Sequence, residues 1–189
     1  MKFEWFNVDK ESISPNPQNG VYIMKMDTAR LLKFGKSSNM LKTKQQYERA
    51  GNIDMVCLFY EKIDELESFV LNILSTFRIQ KTGCDYLTEV LNINREVLKD
   101  IVKWCITNIH IYDIKIPLCR SIKTRENTLM KIDSLISYTE STELCIIIIQ
   151  KYNVQYYFPM EITYGQTACY SYFLGLQDLY KCIHLVSFS

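Results

Sequence analysis

The sequence predicts an α+β fold: a small three-stranded sheet flanked by helices, followed by a C-terminal extension built from a helix and a β-hairpin. Three observations carry this expectation. Short apolar and aromatic runs around Gly20-Val21-Tyr22 and Lys33-Phe34-Gly35 are joined through Asp27-Thr28-Ala29-Arg30, a pattern that reads as a hairpin. The run Ile53 to Tyr60 (Ile-Asp-Met-Val-Cys-Leu-Phe-Tyr) has the length and composition of a buried strand. From Lys62 to Arg78, the apolar positions Ile63, Leu66, Val70, Ile73, Leu74 and Phe77 recur at i, i+3 and i+4, which winds into one buried helical stripe.

Residues 1–19 form an arm. It opens on an aromatic cluster, Phe3, Trp5 and Phe6, and runs into Ser14-Pro15-Asn16-Pro17-Gln18-Asn19, where two prolines favour extended or turn backbone. These aromatics either pack on the core or stack on bases. In the hairpin, each triplet then sets a glycine near a polar Tyr or Lys. Glycine weakens a strand unless a ligand or another chain segment must come close. Asn39 to Ala50 lacks Pro and Gly and suits a helix closed by Gly51. From Arg30 to Arg49 six basic residues (Arg30, Lys33, Lys36, Lys42, Lys44, Arg49) face one acid, Glu48. Such a run either attracts a phosphate backbone or is a solvated helix face.

Glu67 interrupts the buried stripe, four residues after Ile63 and three before Val70. Glu61, Asp64 and Glu65 have a solvated side to occupy, whereas Glu67 points inward. An inward carboxylate is costly unless it is paired or bound to a metal, so Glu67 is either a functional ligand or the partner of a lysine such as Lys33 or Lys36. Further on, Gly83-Cys84-Asp85-Tyr86-Leu87 reads as a turn entering a short strand. Asn94 is a helix N-cap, with Ile93 and Leu98 placed as a hydrophobic staple, and the helix Arg95 to Ile109 buries Leu98, Ile101, Val102, Cys105 and Ile109.

An irregular stretch with Pro117 places a boundary near residue 115, giving a domain over 20–112 and an α+β extension over 116–189. In the extension, Glu126 to Tyr138 is expected to be helical. Leu144 to Ile149 and Val154 to Phe158 form a hairpin through Lys151-Tyr152-Asn153, and Cys169 to Leu185 packs as a helix. The Ile run needs cover. That half is either a homodimerisation or partner-docking module, or an extension that stabilises the first domain.

The composition excludes several classes. A formal net charge of +1 and 48 % hydrophobic content over 189 residues describe an ordinary globular protein with no global bias toward nucleic acid. Seven cysteines include no Cys-x-x-Cys pair and only two histidines accompany them, which argues against structural zinc and for reduced thiols packed as small apolar groups. The N-terminus has no apolar run of signal-peptide length, and nothing reaches the roughly 18 apolar residues of a membrane span. A soluble cytoplasmic or nuclear protein, neither secreted nor membrane-bound, is expected.

Gly20-Val21-Tyr22, ten intervening residues and Lys33-Phe34-Gly35-Lys36-Ser37 together resemble the paired triplets of the GIY-YIG nuclease superfamily, in its phage and large-DNA-virus branch, where Lys also takes the place of the second Tyr. The likeness covers Gly20 to Asn94. It implies a divalent-metal-dependent endonuclease acting on nucleic acid, DNA ahead of RNA, with Mg²⁺ or Mn²⁺ held by Glu67. It further implies that Tyr22 activates or orients the attacking water. Lys33 and Lys44 then join these two as catalytic residues, and Lys36 and Arg49 bind phosphate. The family's helix arginine falls near Lys44, and a lysine lacks the planar two-pronged donor set of guanidinium. The family's histidine one turn beyond the Glu is Leu71 here, which leaves Tyr22 or a metal-activated water as base. These departures set a second expectation beside the first: the same fold kept as a noncatalytic nucleic-acid-binding or protein-interaction module of a virus or phage.

Overall fold

A computed structural model describes residues 3–9, 19–25, 31–112 and 116–133. Within them the chain forms β1 (Phe6–Asn7), β2 (Gly20–Lys25), β3 (Leu31–Ser37), α1 (Met40–Glu48), β4 (Met55–Phe59), α2 (Ile63–Ile73), a 3₁₀ turn (Ser75–Phe77), β5 (Arg78–Gln80), β6 (Leu87–Asn92), α3 (Arg95–Tyr112) and α4 (Ile122–Asp133). The strands make one antiparallel sheet in the order β1-β4-β2-β3-β6-β5.

Side-chain alternation divides β2 between two cores. Val21 and Ile23 face the larger core, where Leu66, Phe69, Val70 and Ile73 of α2 meet Leu98, Ile101 and Val102 of α3. Tyr22 and Met24 face a smaller one with Met40, Met55, Cys57 and Val8, against which Leu41 and Tyr47 of α1 pack. The sheet is therefore covered on both faces. The hairpin pairs Tyr22 with Gly35, and β2 also pairs with β4 through Tyr22 and Cys57.

The helix starts follow from their caps. Asn39 Oδ1 accepts a hydrogen bond from the Lys42 amide at 3.0 Å, and Asn94 Oδ1 accepts from the Glu96 and Val97 amides, so each side chain satisfies donors that the first helical turn leaves free. Gly51 follows α1 with a positive φ of 155°. Of the described cysteines, Cys57, Cys105 and Cys119 are buried and Cys84 is exposed; burial pushes the Cys57 thiol up to about 12, as suits an inert apolar packing group.

Three expectations are corrected. The sheet has six strands rather than three, because residues on either side of the expected trio pair with its edges. The arm contributes one of them, β1, whose Phe6 and Asn7 pair with Cys57 and Val56. The second helix stops at Ile73, not Arg78: a 3₁₀ turn carries Phe77 into the core, and Arg78 already belongs to a strand. The helix expected from Glu126 begins at Ile122. Residues 116–133 also pack on the same body: Ile132 is fully buried in the larger core, and Asn72 and Arg78 hydrogen-bond to Pro117 and Cys119. The hairpin over 144–158 and the helix over 169–185 lie outside the described residues.

Candidate functional site

The pairing of β3 with β6 covers only Leu31, Lys33 and the residue between them. Beyond Lys33 the two strands part, and a cleft of about 520 Å³ opens there, lined by Tyr22, Gly35, Lys36, Asp64, Glu67, Ser68, Glu89, Pro117, Leu118 and Arg120. A site at a parted edge can be reached from both faces of a sheet, and this one is. Lys36 and Glu67 come from the α2 side. Tyr22 comes from the α1 side, its ring crossing above Gly35 so closely that a Cβ there would lie 2.6 Å from the Tyr22 Oη and 2.7 Å from its Cζ. Gly35 thus makes room for a neighbouring side chain. Gly20 does the same for backbone, since a Cβ there would meet the Leu58 carbonyl oxygen at 2.6 Å.

The charges in the cleft are interlocked. Glu67, only 5 % exposed, accepts a hydrogen bond on Oε2 from Lys36 Nζ at 2.6 Å, and the same ammonium reaches Asp64 Oδ1 at 2.7 Å. Burial raises the Glu67 carboxyl above the usual range, and the nearby Lys36 opposes this without cancelling it. Burial disfavours the Lys36 charge, but its two carboxylates outweigh that and raise it. Lys33 donates to Glu89 Oε2 at 2.9 Å and lies 6.0 Å from the centre of the Tyr47 ring. Against the burial that lowers it, Glu89 raises Lys33 as well. The Tyr22 hydroxyl shares a 3.3 Å hydrogen bond with that of Tyr47. Burial first, then Tyr47 and the negative charges of Glu89 and Glu67, hold Tyr22 well above the ordinary tyrosine range. It is a neutral hydroxyl throughout the physiological range.

Of the six residues singled out in the sequence, Tyr22, Lys36 and Glu67 share the cleft, and Lys33 stands one ion pair behind its wall through Glu89. Lys44 and Arg49 do not join them. Lys44 pairs with Glu48 one turn along α1, and Arg49 lines a separate surface groove with Asn39, Leu41, Lys42, Gln45 and Gln46. The sequence reading missed Asp64, Glu89, Arg120 and Tyr47. Tyr47 carried a signal, being aromatic on a polar helix seven residues after Met40, two full turns along one face. Glu89 and Arg120 carried none.

The divalent ion that the resemblance implies can be tested against these donors. Among the described residues, no group of three His, Cys, Asp or Glu side chains is placed to hold a metal. Mg²⁺ needs no such cage, since it keeps several waters and binds through one or two carboxylates together with substrate phosphate. Glu67 and Asp64 supply hard oxygen donors close enough to share one ammonium, so the donor set fits such an ion provided Lys36 yields its place.

No protein-family model, curated protein or solved structure matches the chain. Among the described residues no helix is long and apolar enough to cross a membrane.

Proposed function

We propose that the chain is a GIY-YIG-like, divalent-metal-dependent endonuclease that hydrolyses a nucleic-acid phosphodiester, DNA ahead of RNA. The observation that carries this reading is the convergence of Tyr22, Lys36 and Glu67, from three separate elements, on one open cleft. The order hairpin, helix, strand, helix (β2-β3-α1-β4-α2) agrees with it.

Glu67, with Asp64 beside it, would hold the Mg²⁺ or Mn²⁺. Bound there, the ion polarises a phosphoryl oxygen and lowers the pKa of its water. Tyr22 stays protonated at neutral pH, so it donates a hydrogen bond that orients water or a phosphate oxygen; it does not abstract a proton. Lys36 provides positive charge against the phosphate as charge builds in the transition state. Lys33 fixes Glu89 at the cleft wall and so acts through position.

One observation favours a second reading, a noncatalytic nucleic-acid-binding or protein-interaction module of the same fold: the Lys36 ammonium already balances Glu67 and Asp64, as a resident cation in the place a metal would take. Plasmid nicking with Mg²⁺ or Mn²⁺, comparing wild type with Glu67→Ala and measuring DNA affinity in parallel, separates the two. Nicking that is lost in the variant at unchanged affinity supports the nuclease. Binding without nicking by either protein supports the module, and neither binding nor nicking overturns both nucleic-acid readings.

A further inference from the structure

We propose that Arg120 is the arginine that grips the phosphate of a nucleic acid bound in the cleft. The inference rests on the phosphodiester reading above and extends it to a part of the chain that the family resemblance does not cover. Two cations line the cleft, Lys36 and Arg120. Until a metal takes its place, Lys36 is committed to Asp64 and Glu67. Arg120 is exposed and has no ion-pair partner among the described residues, so its charge is the one left for a ligand anion. The lining also holds three carboxylates, Asp64, Glu67 and Glu89. A phosphate entering among them needs a cation that is free to meet it.

The backbone that presents Arg120 is held from several sides. Its own carbonyl accepts from the Leu87 amide at 2.9 Å. The Cys119 amide donates to Asn72 Oδ1 at 2.7 Å, the Asn72 amide nitrogen donates to the Pro117 carbonyl at 3.1 Å, and the Arg78 guanidinium donates to the Cys119 carbonyl. Ser121 bridges Tyr86. A loop tied to α2, β5 and β6 in this way delivers its side chain to the cleft at little further ordering cost. Guanidinium is also the right chemistry: its planar fork makes two parallel hydrogen bonds to a phosphate, which neither Lys36 nor Lys44 can reproduce. The arginine expected on α1 is replaced here by one from the segment after α3.

The test is anisotropy of a labelled DNA duplex titrated with the full chain in EDTA, across a NaCl series. Arg120→Ala is expected to weaken binding about tenfold and to flatten the slope of log K against log salt by about 0.9, the value of one released phosphate contact. Arg120→Lys is expected to restore the slope while recovering only part of the affinity. An Arg120→Ala protein with wild-type affinity and slope, or one whose affinity falls at unchanged slope, overturns the role while leaving the nucleic-acid reading in place. A larger loss in Arg49→Ala than in Arg120→Ala moves the interface to α1 and also overturns it. A wild-type chain that binds no DNA overturns both the role and the reading beneath it.

Discussion

Gly35→Ala probes the link between the hairpin and the cleft most cleanly. The added Cβ would lie 2.6 Å from the Tyr22 Oη, against 3.4 Å for an ordinary contact, so the ring must shift by about 0.8 Å. Tyr22 is 4 % exposed, packed among Met24, Met40 and Cys57, and bonded through its hydroxyl to Tyr47, so a shift of the ring disturbs those contacts. Overpacking of this kind costs about 1–3 kcal/mol, or roughly 2–12 °C in Tm for a chain of this length. In a Tyr22→Leu background the obstacle is gone, and Ala becomes the better strand residue by about 0.5–1 kcal/mol. Urea unfolding of the wild type, both single variants and the double variant gives the coupling. A coupling of more than about 1 kcal/mol between the two sites is the expected result. Additivity within about 0.5 kcal/mol would refute the claim that Gly35 exists to admit the Tyr22 ring.

Two further outcomes follow from the charges. Because the folded Glu67 carboxyl is raised, its favourable contribution is complete below the ordinary Glu value and is lost as pH rises through the raised one. Glu67→Gln should therefore gain Tm relative to wild type on going from about pH 4 to pH 7 while losing nicking, and a gap that is flat or shrinks with pH contradicts the assignment of burial as the dominant cause. Arg78, 5 % exposed, donates to the carbonyls of Thr88 and Leu87 at 2.7 Å each and to that of Cys119. Arg78→Met strands those acceptors and should cost about 3 kcal/mol, or roughly 6–12 °C, in thermal denaturation; a loss under about 1 kcal/mol would show that the tie between β5, β6 and residues 116–120 is dispensable.

The elements legible in the sequence are those whose pattern has a single local cause. Strands β2 and β4 are apolar runs, α1 runs free of Pro and Gly as far as Gly51, α3 opens on an asparagine cap, and Glu67 stands out because it falls among the apolar positions of the α2 stripe. The end of α2 was not legible, since Leu74 and Phe77 keep the same three-residue spacing in a 3₁₀ turn as in an α-helix. Strand β1 was hidden because both its side chains are exposed and its pairing depends on β4, some fifty residues away. The pairing of Glu67 with Lys36 was weighed as an alternative to metal binding, and the structure joins them, while the share of Asp64 in that ammonium was not read because Asp64 sits on the solvated side. Arg120 reaches the cleft through contacts of its segment with Asn72, Arg78 and Leu87, which no local spacing encodes.

The proposed nuclease requires the cleft at the parted edge of β3 to take a divalent ion at Glu67. Mn²⁺ added to ¹⁵N-labelled protein broadens amide signals near the ion, so its place can be read along the backbone. Broadening centred on Gly35, Lys36, Asp64, Glu67 and Leu118, and abolished by Glu67→Gln, is the result expected. Broadening centred elsewhere, or a cleft left sharp at saturating Mn²⁺, would contradict the claim and leave Lys36 as the cation that Glu67 binds among the described residues.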